Sequence, residues 1–234
     1  MKKGIIITII LSLVIIAAPK QSHAINVGIG ATTWFSWWDL KFEDQSDPDI
    51  DPAFLYGPVL SIGFTPKWKL STVFLYGVYD TGGSDMPSDF KRYDLDVAIN
   101  YILLDFLKIF GGGKFMGYDY DSGSHLAGGP AIGIGLTINL IGDLYLLTNI
   151  STGFLAGYQK DKQVDFEQNT KFYEAALNSS LSFAYVISPI NTTISLGFRY
   201  QFLKTWYEGS SESYNDFISH IYGVTLTAVF SFDI

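Results

Sequence analysis

The sequence predicts an all-β chain: an up-and-down antiparallel transmembrane β-barrel of about ten strands. Apolar and polar residues alternate with a period near two over most of its length. Its connections alternate between tight turns and long polar loops. One strand face is continuously apolar, and the other is polar but nearly uncharged. Composition agrees. Apolar residues make up 48% of the chain, aromatics 16% and charged residues only 16%, against about a quarter charged in ordinary soluble domains. That excludes a disordered chain and leaves too little charge to cover a soluble surface.

Met1–Ala24 reads as a secretory signal peptide that is removed. Lys2 and Lys3 precede an apolar run from Ile5 to Ala18, and Ser22-His23-Ala24 supplies the small residues of a cleavage site. The apolar run is short for an uncleaved anchor, which needs about 20 residues. Residues 25–234 then form a single barrel domain. Without Lys2, Lys3 and Lys20 it has 12 bases against 23 acids, a net charge of −11, so nucleic acid is not expected as a partner. Cysteine is absent. This excludes disulfides, thiolate metal sites, a cysteine nucleophile and a lipid anchor at the leader's end.

Strands are expected near 25–38, 54–64, 68–79, 91–103, 107–118, 127–140, 144–158, 172–187, 192–207 and 217–234. The sixth is the clearest. Ile132, Ile134, Leu136, Ile138 and Leu140 share one face, and Ala131, Gly133, Gly135, Thr137 and Asn139 the other. Thr65-Pro66-Lys67, Leu104-Asp105-Phe106, Ile141-Gly142-Asp143 and Ser188-Pro189-Ile190-Asn191 are the tight turns. Long loops are expected near 39–53, 80–90, 119–126, 159–171 and 208–216.

Period two alone does not say which face meets water. A solvent-facing strand face should be rich in Lys and Glu, yet the polar faces of strands six and seven carry no charge. They suit a packed interior, so the apolar faces turn outward to lipid. A soluble β-sandwich would need a more charged exterior. The exceptions on the apolar faces are Lys204, near a strand end where it can snorkel, and His220. Aromatics near strand ends form the expected interfacial girdle: Trp34, Trp37, Trp38, Trp68, Trp206, Tyr207, Phe230 and Phe232. With no water to satisfy an open sheet edge in the bilayer, the sheet must close. An even strand number puts both termini on the short-turn side.

The leader end, the alternating hairpins and the last strand, Tyr222 to Ile234, make the chain resemble bacterial outer-membrane β-barrel proteins. That strand looks like the family's C-terminal assembly signal, although it ends in Ile234 and not in an aromatic. The resemblance implies localisation in the bacterial outer membrane and long loops outside the cell. The partners it implies are outer-membrane lipid and lipopolysaccharide, periplasmic chaperones and the barrel-assembly machinery.

The long loops hold 17 of the 23 acids, so the outward end should be strongly acidic. Asp47-Pro48-Asp49-Ile50-Asp51 has the spacing that opens many calcium loops but lacks the following Gly and the distal Glu. Asp47, Asp49 and Asp51 are thus a candidate weak divalent-cation set beside the simpler reading of a solvated acidic loop; no other cofactor is expected. A charge network is expected in the lumen from Lys69, Arg92, Asp94, Asp96, Lys108, Lys114, Glu174 and Arg199, with Asp233 nearby. The three-residue turn at 104–106 should set Asp96 opposite Lys114, and since a buried charge must be paired, a structural ion-pair network is expected. The alternative is a charged constriction that selects solutes.

Asp94-x-Asp96 invites comparison with the omptins, ten-stranded outer-membrane proteases. The matching Asp-x-His is missing, since Asp216 and His220 are four apart. Ser124-His125 raises a Ser/His hydrolase, like the outer-membrane lipid A deacylases, without a placed acid or oxyanion hole. Gly111-Gly112-Gly113 is no phosphate loop; strand glycine makes room for a large lumen residue such as Trp34 or Phe110. No enzyme is therefore expected. The expectation is a largely filled barrel acting as a structural and surface-interaction protein. The alternatives are a narrow porin-like channel for small solutes and, behind it, an outer-membrane hydrolase.

Overall fold

The computed structural model describes residues 25–42, 49–81, 89–163, 166–208 and 216–234. The expected leader, Met1–Ala24, lies outside them. Ten strands follow one another: β1 (Asn26–Phe42), β2 (Ala53–Gly63), β3 (Trp68–Asp80), β4 (Asp89–Leu104), β5 (Leu107–Tyr120), β6 (Gly123–Ile141), β7 (Leu144–Gln163), β8 (Phe166–Ile187), β9 (Thr192–Tyr207) and β10 (Phe217–Asp233). Each pairs antiparallel with the next, and β1 closes the barrel on β10. The first and last residues of the barrel meet at the short-turn end, where Ile25 and Ile234 exchange backbone hydrogen bonds of 3.1 and 2.9 Å. Closure leaves no unpaired edge, the condition for a sheet in hydrocarbon.

Local chemistry sets the tight turns. In the β2–β3 turn the Thr65 hydroxyl accepts from the backbone N–H groups of Lys67 and Trp68 at 3.2 and 3.0 Å. Gly142 takes φ +54° between β6 and β7, a conformation that favours glycine. Asn191, at φ 49°, closes the 3₁₀ turn Ser188–Ile190.

Two predicted long loops are corrected. The 119–126 segment is a turn of two residues, Asp121 and Ser122, because β5 runs to Tyr120 and β6 starts at Gly123. The 159–171 segment is mostly ladder, with Lys160 opposite Asn169 and Gln159 opposite Thr170. Above the lipid both strand faces are polar, which erases the period-two signal while the hydrogen-bond ladder continues. β7 and β8 have 20 and 22 residues, and a tilted span needs only about 9–11. Both therefore project well past the membrane at the long-loop end.

The outer wall is apolar. Ile132, 65% exposed, Ile134, Phe154, Leu181, Phe198 and Leu226 lie open on it. Two polar residues expected on its apolar faces have local partners: Lys204 sits 5.4 Å from the Trp206 ring centroid, and His220 Nδ1 lies 2.8 Å from the Tyr200 hydroxyl. Among the described residues no helix is long and apolar enough to cross a membrane; the strands cross it.

Candidate functional site

The lumen divides into two unlike parts. Toward the long loops it is filled by a buried layer to which every strand contributes. Trp34 and Trp38 come from β1, Leu55 from β2, Tyr79 from β3, Phe90 from β4 and Tyr118 from β5. Ala127, Leu155, Phe172, Leu203 and Phe217 complete the circle from β6 to β10. Trp38 is its hub. It meets Tyr79, Phe90 and Tyr118 edge-on at 5.2, 5.5 and 5.2 Å, and the Arg92 guanidinium lies 5.1 Å from its ring. Its indole N–H donates to Ser219 Oγ, and the Tyr79 hydroxyl is bonded to Ser36 Oγ. The Trp38 edges and indole donor are thus used, as a packed interior favours, while the buried Trp34 indole N–H has no hydrogen-bond partner.

Within this layer His125 is stacked between Tyr118 at 4.6 Å and Phe172 at 3.9 Å. Its Nε2 lies 3.1 Å from Glu174 Oε1, which also accepts from the Thr205 hydroxyl at 2.8 Å. Its Nδ1 lies 3.3 Å from Gln159 Oε1, to which the Tyr207 hydroxyl also donates. Gln159 Nε2 donates to the Tyr120 hydroxyl at 3.1 Å, and Tyr120 in turn donates to Asp161. A chain of hydrogen bonds therefore runs from buried Glu174 toward the rim. Sequence reasoning missed it by starting strand six at residue 127. Carrying the period two residues further would have turned His125 inward.

Toward the short turns the lumen opens into a vestibule of about 260 Å³. Asp96 stands at its inner end. Lys114 Nζ reaches one of its carboxylate oxygens at 2.9 Å, and Arg199 Nη2 reaches the other at 3.1 Å. Arg199 also lies 4.7 Å from the Trp34 ring, so the cation is clamped between a carboxylate and an aromatic face. Further from the plug, Lys108 extends over Phe110 at 5.6 Å. Gly133 and Gly135 make that possible, since a Cβ on either would meet the Phe110 ring or the Lys108 chain.

The predicted lumen network is thus several separate units. Arg92 and Asp94, two apart on β4 and both fully buried, pair with each other, Nη2 to Oδ1, at 3.2 Å. Asp96 serves Lys114 and Arg199, and Glu174 serves His125. Lys108 and Lys69 have no carboxylate within ion-pair distance among the described residues. Asp233, at the lip, accepts from Asn26 Nδ2 at 2.9 Å.

The girdle needs correction. Trp34 and Trp38, 0% and 2% exposed, belong to the plug, and Tyr207 packs against it. Alternation along β1 sends Trp34, Ser36 and Trp38 inward and only Trp37 outward. Trp37, Trp68 and Phe230 are exposed on the outer wall, with Trp206 beside Lys204 and Phe232 stacked on Phe230. Asp47 lies outside the described residues. Asp49 and Asp51 are exposed, and among the described residues no three His, Asp or Glu gather as metal ligands. Ser124 and His125 are neighbours on one strand and so point to opposite faces. They do not form a nucleophile and base. The triple-glycine reading is refined: Gly112 lets the β4 backbone at Val97 approach closely, while Gly133 accommodates Phe110.

No family model and no curated protein matches this sequence. Solved structures do. The outer membrane protease OmpT from Escherichia coli superposes with a TM-score of 0.54 at 10% identity, covering 89% of this chain and 97% of that one. The outer membrane protein AlkL gives 0.44 at 12% identity over 92% and 95% of the two chains. Neisserial surface protein A gives 0.40 at 10% over 90% and 100%. The first of these likenesses carries the fold. Together with the apolar wall and the closed sheet, it shows a ten-stranded transmembrane β-barrel fold like that of outer-membrane proteins.

Proposed function

We propose that this outer-membrane barrel is a sealed, non-enzymatic scaffold that acts through its external face. One observation carries the reading: the aromatic layer around Trp38, Tyr118, His125 and Phe172, which fills the lumen toward the long loops. A plugged barrel moves no solute, so its interactions fall to the rim. There Asp39, Asp49, Asp51, Asp80, Asp89, Asp119 and Glu208 are exposed, an acidic surface suited to cationic or divalent-ion-bridged contacts with lipopolysaccharide or other molecules at the cell surface. Periplasmic chaperones and the barrel-assembly machinery would deliver the chain, with Tyr222–Ile234 as the assembly signal.

Protease activity does not follow from the likeness to OmpT, because a shared fold does not transfer a site. Both Asp94 and Asp96 are committed to cations, and His220 points outward to Tyr200. Cells displaying the intact barrel should adhere to a polylysine surface more strongly than cells displaying a variant with Asp39, Asp49, Asp51, Asp80 and Asp89 changed to Asn. Equal adhesion at equal surface expression contradicts the proposal.

A further inference from the structure

We infer that the vestibule at the short-turn end is a binding pocket for a small oxyanion, a soluble carboxylate or phosphate compound admitted from the periplasmic side. Charge is the first ground. Lys69, Lys108, Lys114 and Arg199 face this end of the lumen against Asp96 and Asp233. Asp96 is shared by two cations, and Asp233 is tied to Asn26 at the lip. Lys108 and Lys69 thus have no carboxylate partner among the described residues, although every other described charge inside the barrel is paired or hydrogen-bonded. A cavity with low-dielectric walls and an excess of positive charge concentrates anions.

The lining is the second ground. Asn100, Asn149, Asn178, Ser71 and Ser180 surround the cavity with neutral donors and acceptors. Asn149 Nδ2 donates to Ser180 Oγ at 3.3 Å. Asn178 Oδ1 is buried with no hydrogen-bond partner. With the Lys108 ammonium beside Asn149, these amides and hydroxyls offer polar partners for a carboxylate or phosphate.

The third ground is shape. Gly135 leaves room for Lys108 to lie along the wall beside Asn149. Trp34, stacked on Arg199, closes the inner end, so the ligand enters and leaves by one mouth. A volume of about 260 Å³ falls below the usual range for drug-sized ligands, about 300–1,000 Å³. It fits a small solute and not a lipid or a folded peptide. The inference stands independently of the role proposed for the rim.

Titration calorimetry of the refolded, detergent-solubilised barrel at low salt, with inorganic phosphate and with succinate, tests it. At least one probe should bind with unit stoichiometry. Lys108→Ala should weaken it at least about tenfold, the loss of one charge-assisted hydrogen bond. Lys41→Ala, on the outer wall, should leave it unchanged. Lys69→Ala, at the exposed lip, provides a second variant if Lys108→Ala does not refold, and should also weaken binding. The inference is overturned if neither probe binds, or if the refolded lumen variants bind as tightly as the parent.

Discussion

Lys114 on β5 and Asp96 on β4 are register partners, and their charged groups lie 2.9 Å apart across the ladder. Arg199, far away in sequence on β9, takes the second oxygen of the same carboxylate at 3.1 Å. One acid therefore holds two bases from two walls of the lumen.

Removing that acid should leave two neighbouring cations in conflict. Breaking a fully buried pair costs about 3–5 kcal/mol. The Asp96 side chain is 37% exposed, so solvent screening lowers the expected loss for Asp96→Asn to about 1–3 kcal/mol. Adding Lys114→Met should recover part of it. Urea unfolding in lipid vesicles measures both. A double variant no more stable than Asp96→Asn would show that the cations do not repel.

His125 joins packing to hydrogen bonding. His125→Phe keeps the stack with Tyr118 and Phe172 but leaves Glu174 with only the Thr205 hydroxyl. An uncompensated buried carboxylate should destabilise the barrel by about 3 kcal/mol or more. Glu174→Leu in the same chain should restore much of that. If His125→Phe unfolds at the parent's urea midpoint, Glu174 does not depend on the imidazole.

The outward face of β6 should behave as a lipid surface. Ile132→Arg, near the middle of the apolar band, should cost about 2–4 kcal/mol, while Ser124→Arg on the same face near the rim should cost about 0–1 kcal/mol. Equal costs at the two depths would contradict the placement of the membrane.

Much of this was legible in the sequence. The strict alternation of β6 and β10 marks the lipid face, and the tight turns at 65–67, 104–106, 141–143 and 188–191 set strand number and the pairing of Asp96 with Lys114. The plug was not. In Trp34-Phe35-Ser36-Trp37-Trp38 both faces of β1 are aromatic, so periodicity is silent about which indoles turn inward. His125 was lost for a related reason: at the rim end of β6 every residue but Leu126 is polar or small, and the strand reads as loop. Assembly of the layer also depends on strand stagger around the barrel, which no single strand encodes.

The central claim is that the aromatic layer seals the lumen, and planar-bilayer recording of the refolded protein tests it directly. The parent should be silent, while the triple variant Trp38→Ala, Tyr118→Ala, Phe172→Ala should show discrete conductance steps. Steps from the parent barrel itself, sensitive to Asp96→Asn, would contradict the claim and make the lumen a conducting path.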